Sequence, residues 1–199
     1  MLRRFFLIVG LTLQILTFNA AEAERQFEAP TMAAPDFTAQ SLTDDQQIRL
    51  SDFHGQVVVL NFWASWCFPC RYEMPIFQKM YDRYRHLGFA VVAVAVYDEL
   101  VNAKTFQRRY KLSFPMLFDT DEQAKQAFDV QVVPQTFVIG RDGRLVPITD
   151  PTTRKTTLSV NDPTLWETAE MMTLIEQLIE ESTPRTNTVI PTSDRRSTS

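Results

Sequence analysis

The chain is poor in the residues that build metal sites and disulfide frameworks: 199 residues include only two cysteines and two histidines. Two cysteines cannot form a network of bridges between distant segments. A zinc site wants four ligands, and neither His54 nor His86 stands at a familiar ligand spacing from the cysteines. No metal and no bound cofactor are therefore expected. An excess of positive charge is missing too. Lys and Arg number 20 against 24 Asp and Glu, a formal net charge of -4, which gives no electrostatic reason to expect nucleic acid as a partner. No apolar run reaches the roughly 20 residues that cross a bilayer as a helix. The longest, Phe5 to Phe18, is interrupted by Thr12, Gln14 and Thr17.

That run has a different meaning. Arg3 and Arg4 precede it, and small residues ending in Ala21-Glu22-Ala23 follow it, so residues 1–23 read as a secretory signal cleaved after Ala23. An uncleaved signal would instead anchor the chain to a membrane. The arginine pair also has the look of a twin-arginine signal. Either way the chain is expected to be exported, periplasmic in a bacterium of that type. At the other end, residues 182–199 are polar and rich in Ser and Thr, and are expected to be disordered. Neither a repeat nor a Pro/Gly/Ser linker divides residues 24–181, which should form one domain.

Within that domain the apolar, β-branched run Val57 to Phe62 has the pattern of a strand buried on both faces. Short alternating pieces around Thr43 to Gln46 suggest a hairpin leading into it. After the cysteines comes a helical stripe of Phe77, Met80 or Tyr81, Tyr84 and Leu87, with Gly88 placed to end it and Pro75 expected to kink it. Phe89 to Tyr97 reads as a second buried strand, Asn102 to Tyr110 as a helix, and Pro115 to Phe118 as a short strand. Asp119 or Thr120 should cap a small helix with Asp121 and Glu122 in its first turn. Gln135 to Ile139 should be a strand, followed by a turn at Arg141 to Arg144 and another strand from about Leu145. A last helix should start near Asp162-Pro163 and run through Trp166, Ala169, Met172, Ile175 and Ile179. These alternations predict an α/β fold with strands in mixed directions.

The two cysteines stand in "NFWASWCFPCRYEMP", Asn61 to Pro75. A bridge between Cys67 and Cys70 closes too short a loop to repay much chain entropy, which argues against a structural staple. A redox pair has a positive mechanism. Cys67 sits where a strand turns into a helix, where free backbone N–H groups and the helix dipole favour its thiolate. Cys70, one turn on, is placed to attack a mixed disulfide, and Pro69 is harmless in the first helical turn.

Together with "VVPQTFVIGRDG", this stretch resembles the thioredoxin superfamily, in particular its periplasmic branch typified by TlpA and ResA proteins. The resemblance covers about residues 30–181. It implies a thioredoxin-like fold: a mixed central sheet flanked by helices, with an added N-terminal hairpin and a central insertion, for which the interval from Cys70 to Pro134 leaves room. It implies that Cys67 is the exposed nucleophile, Cys70 the resolving thiol and Pro134 a cis-proline, with Val133 offering its backbone to a client peptide. Trp66, next to Cys67, is the tryptophan expected at the client surface. Asn61 stands where thioredoxin has a buried aspartate, so that proton acceptor is absent. Glu73, three residues after Cys70 and on its side of the helix, matches the acidic residue of the branch and would tune the thiols or shuttle a proton.

The activity implied is thiol-disulfide exchange. Phe68 and Pro69 cannot donate a side-chain hydrogen bond to the sulfur, and with Glu73 they favour a reductant over an oxidant. The expected partners are disulfide-containing exported clients, apocytochrome c among those the resemblance implies, and a membrane thiol carrier as electron donor. The protein itself is expected to be a monomer. The alternatives are a disulfide oxidant or isomerase on the same fold, and a copper chaperone.

Overall fold

The computed structural model describes residues 32–181. The expected signal segment, residues 1–23, and the expected tail, residues 182–199, lie outside the described residues.

The chain enters as a hairpin, β1 (Thr38–Ser41) and β2 (Gln47–Arg49). The turn between them falls where the polar residues predict it, with Ser41 N donating to Gln46 O at 2.7 Å. After one 3-10 turn comes β3 (Val57–Trp63), all seven of whose residues are buried. The 17-residue helix α1 (Phe68–Tyr84) follows, then a 3-10 turn, β4 (Phe89–Ala95) and α2 (Leu100–Tyr110). Next are β5 (Met116–Phe118), the short α3 (Gln123–Ala127) and β6 (Gln135–Ile139). A two-stranded ribbon of β7 (Ile148–Thr149) and β8 (Thr156–Thr157), a 3-10 segment and α4 (Ala169–Glu180) complete the domain.

The main sheet has the order β2-β1-β5-β4-β3-β6. Strands β3, β4 and β5 run parallel, whereas β6 and β1 pair antiparallel with β3 and β5. The apolar runs of β3 and β4 lie at its centre, as strands covered on both faces must. Period-two alternation sorts their side chains into two cores. Val57, Val59 and Trp63 pack with Met74, Phe77, Phe106, Trp166 and Ile175. Val58, Leu60 and Phe62 pack with Phe37, Phe128 and Phe137 on the other face. Asn61 shares the parity of Val59 and Trp63, so it points at α1. The N-terminal hairpin is present, and the interval between Cys70 and Pro134 holds the rest of α1, then β4, α2, β5 and α3.

The structure departs from expectation in several places. Leu87 is half exposed, because the chain tightens into a 3-10 turn at Arg85–Leu87 before Gly88, whose φ of 78° ends it. The second buried strand stops at Ala95, since Tyr97 adopts a left-handed φ of 54°. Asp121 and Glu122 precede α3 instead of lying in its first turn. Asp119 reaches over them, its carboxylate accepting from Ala124 N at 3.0 Å and Lys125 N at 2.8 Å. The strand expected at Leu145 reduces to a single bridge with Ile139. Pro147 follows almost at once and has no N–H for a ladder. The last helix divides in two: Asp162 caps a 3-10 segment, Pro163–Glu167, and Thr168 caps α4. That restart changes the phase, so the buried stripe of α4 is Met171, Ile175 and Ile179, and Ala169 is exposed.

Candidate active site

The loop from β3 into α1 is clamped at several points. Trp63 O accepts from Val96 N at 2.9 Å, and Ala64 O accepts from Cys67 N at 3.1 Å. The Asp98 carboxylate holds Ser65 twice, taking its backbone N–H at 2.5 Å and its hydroxyl at 3.0 Å. Arg71, from the first turn and a half of α1, donates through Nε and Nη2 to Ser65 O at 3.2 and 2.9 Å.

This framing leaves Cys67 as the N-cap of α1, its Sγ accepting from Cys70 N at 3.2 Å. Cys67 and Cys70 form a disulfide with Cα atoms 5.3 Å apart. The sulfur lies at the positive end of the helix dipole, where a thiolate would be stabilised once the bond is reduced. Pro69 falls in the first turn, where no backbone donor is needed.

The expectation of an exposed Cys67 needs correction. In the disulfide Cys67 keeps only 3% of its accessible surface and Cys70 none. The reason is local: the Cys67 sulfur is turned back over the first turn of α1, bonded to Cys70 and accepting its N–H. Exposure at the site belongs to the flanking aromatics, Trp66 at 59% and Phe68 at 80%.

Glu73 is no surface carboxylate. It is 1% exposed, and its Oε1 accepts from Asn61 Nδ2 at 2.7 Å. The same amide nitrogen donates to Thr136 Oγ1 at 2.8 Å. Asn61 and Thr136 are directly paired across β3 and β6, so sheet register builds the contact. Burial pushes the Glu73 carboxyl up to about 8, against the smaller opposing pull of the Asn61 hydrogen bond. Both protonation states are thus accessible near neutral pH, the condition for proton transfer. Asn61 Oδ1 has no partner among the described residues. Asn61 therefore has a positive role that its reading as a missing aspartate did not suggest. Thr136 was missed; its hint is its place two residues after Pro134, on the same strand face.

The two tryptophans separate as expected. Trp63 is fully buried, its ring 4.7 Å from that of Phe106. Trp66 lies on the surface, with Nε1 donating to Tyr97 O at 2.8 Å. Tyr97, not singled out by the sequence, donates its hydroxyl to Val130 O at 2.7 Å, and Lys125 Nζ sits 4.6 Å from its ring centroid. It thereby links the Trp66 loop to the segment leading into Val133 and Pro134. The Val133-Pro134 peptide is cis. Val133 is half-buried against both cores, and Pro134 is buried.

A cysteine pair capping a helix at the end of the central strand, with a buried carboxyl one turn on, defines the thioredoxin-like class of thiol-disulfide oxidoreductases. Residues 30–148 match the model of the AhpC/TSA family, and the chain belongs to that thioredoxin-like family. It is 34% identical over 152 residues to the thiol-disulfide oxidoreductase ResA of Bacillus subtilis, covering 73% of this chain and 84% of that one. ResA of Geobacillus thermodenitrificans is 36% identical over 125 residues, 63% of this chain and 71% of its own. Among solved structures, a protein from Chlorobium tepidum described as a candidate thiol:disulfide interchange protein DsbE is 31% identical. It superposes with a TM-score of 0.59 over 75% of this chain and 94% of its own. A thioredoxin family protein from the same organism shares the fold at 22% identity, with a TM-score of 0.61 over 76% of this chain and 99% of that one. The chain is an enzyme of thiol-disulfide exchange.

Proposed function

We propose that this enzyme works as a reductant of disulfides in exported proteins, with Cys67 as attacking thiol and Cys70 as resolving thiol. The Cys67 thiolate attacks one sulfur of the client disulfide. A mixed disulfide forms and the client's other sulfur leaves as a thiolate, which takes up a proton. Cys70 then loses its proton, with Glu73 as acceptor, and attacks the Cys67 sulfur. The second client thiolate leaves, and two electrons have passed from the dithiol to the client. The enzyme is left with the Cys67-Cys70 disulfide, and a membrane thiol carrier would return it to the dithiol.

The observation that carries the reductive direction is the buried Glu73 one turn beyond Cys70. The burial that keeps this carboxyl protonated up to about pH 8 disfavours a neighbouring thiolate as well, and once ionised the carboxylate repels it; both raise the thiol pKa values, which makes the disulfide the more stable partner and the dithiol the stronger reductant. Phe68 and Pro69 add no side-chain donor to offset it. Trp66 and the Val133 backbone beside Pro134 are the surfaces assigned to the client, as an extended strand. Export rests on the amino-terminal signal pattern, residues 1–23. Among the described residues no helix is long and apolar enough to cross a membrane. The domain spans residues 24–181 on this reading and acts as a monomer on exported clients, apocytochrome c among them.

The test is the reduction potential of the Cys67 and Cys70 pair, measured by equilibration with dithiothreitol and glutathione buffers. A value near or below roughly -250 mV supports a reductase, and one near about -120 mV makes the protein an oxidant.

A further inference from the structure

Beside the cysteine loop lies a second feature that exchange chemistry does not use. A cleft of about 220 Å³ is bounded by Ser65 and Arg71 on one side and by Asn102, Arg109 and Tyr110 of α2 on the other. Its apolar wall is Phe106, stacked on Tyr110 with ring centroids 4.3 Å apart. Ser65 is two residues before Cys67 and Arg71 four residues after it, so the cleft borders the loop that carries Cys67.

The charge here runs against that of the whole chain. Residues 100–111 contain Lys104, Arg108, Arg109 and Lys111 and no acid, in a protein of net charge -4. Two of these cations are engaged: Lys104 pairs with Asp45 at 2.6 Å, and Arg108 donates to Thr105 Oγ1 at 3.2 Å. Arg71 spends Nε and Nη2 on Ser65 O. The Asp98 carboxylate is taken up by Ser65 and the Glu99 N–H. The Arg109 guanidinium, the Asn102 amide and the Tyr110 hydroxyl, by contrast, have no hydrogen-bond or ion-pair partner among the described residues. Arg109 in the last turn also complements the α2 dipole. That accounts for a cation on this turn; Asn102 and Arg109 are exposed and Tyr110 is half-buried, so in the free protein these groups meet water and stand open to a ligand.

We propose that this cleft receives an aspartate or glutamate side chain of the client polypeptide, lying within a few residues of the client's reacting cysteine. The proposal rests on the exchange reaction above and adds a client preference to it. A carboxylate would meet Arg109 as a planar guanidinium fork, with Asn102 and Tyr110 as further donors. It would hold the client while Cys67 reacts, so the effect belongs to KM more than to kcat.

The experiment uses the full chain and two synthetic disulfide peptides that differ only in Glu or Gln at the positions flanking one cysteine. Rates are normalised to those with neutral hydroxyethyl disulfide, which cancels changes in the sulfur chemistry. For the unaltered protein kcat/KM should favour the Glu peptide about fivefold at low salt, through KM, the size expected for one exposed charge pair. The preference should shrink at high salt, vanish in Arg109→Gln and reverse in Arg109→Glu. Equal rates for the two peptides, or a preference that survives in Arg109→Glu, would overturn the proposal. Exchange is followed in both directions. If it runs only toward oxidation of the peptide, the reductase reading fails, while the Glu/Gln ratio still decides the cleft.

Discussion

The Asn61 amide nitrogen bridges Glu73 Oε1 at 2.7 Å and Thr136 Oγ1 at 2.8 Å, tying the catalytic helix to the strand that follows the cis-proline. All three side chains are buried. A donor aimed at a carboxylate stabilises its charged form, and here Asn61 is the one influence opposing burial. Asn61→Leu should therefore raise the Glu73 pKa further, by roughly a unit or more given the strength of hydrogen bonds to charged groups. Carboxyl NMR titration of the oxidised protein measures it. A midpoint that stays put or falls would show that Asn61 does not act on Glu73.

The same carboxyl makes stability depend on pH, with a definite sign. Its folded pKa, about 8, lies above the ordinary value of 4.5. Between those values the folded state keeps a proton that the unfolded state has released. Stability therefore falls as pH rises through this window, by up to about 1.4 kcal/mol per unit, and levels off above pH 8. Asp119 is also raised by burial, but from 3.8, so its contribution begins at lower pH. Glu73→Gln isolates the effect. Urea unfolding of the oxidised proteins at pH 6, 7, 8 and 9 should show the variant gaining on the parent from pH 6 to 8 and little further from 8 to 9. Parallel pH profiles would place the Glu73 carboxyl in water.

Much of this arrangement was legible in the sequence. The β-branched runs Val57 to Phe62 and Phe89 to Tyr97 have the pattern of strands covered on both faces, and the cysteines just after the first run fix where chemistry occurs. The Glu73 spacing placed it on the Cys70 side of the helix, but spacing says nothing about burial. That depends on β6 arriving across β3 in a register that sets Thr136 opposite Asn61, a non-local fact. Tyr97 and Arg109 escaped for the same reason: their partners, or lack of partners, come from segments distant in sequence. The elements misjudged were those without strong periodicity. Near Leu145 and at Thr168, single prolines and caps decide the outcome, and the apolar pattern does not.

Trp63 and Trp66, three residues apart, should respond oppositely to truncation. Trp63 is fully enclosed and packs on Phe106, so Trp63→Ala should cost about 3–5 kcal/mol. Trp66 is largely exposed and makes one indole hydrogen bond to Tyr97 O. Trp66→Ala should cost no more than about 1 kcal/mol while slowing exchange with a protein disulfide. Urea midpoints and insulin reduction rates measured on the same samples separate the two. A large stability loss in Trp66→Ala would return that indole to the core.

The small asymmetry in exposure between the cysteines decides which mutant traps a client. Cys67 retains a sliver of surface and Cys70 none, the order expected if the proposed assignment of Cys67 as attacking thiol holds. The Cys70 N–H that now points at the Cys67 sulfur would remain to stabilise a Cys67 thiolate after reduction. Cys70→Ser should therefore accumulate a mixed disulfide through Cys67, because nothing resolves it, whereas Cys67→Ser should neither trap clients nor reduce insulin. Non-reducing gels and mass spectrometry of each variant, incubated with insulin, identify the linked residue. Trapping of equal extent in both variants would mean that Cys70 is reached directly, and the assignment of attacking and resolving thiols would have to be abandoned.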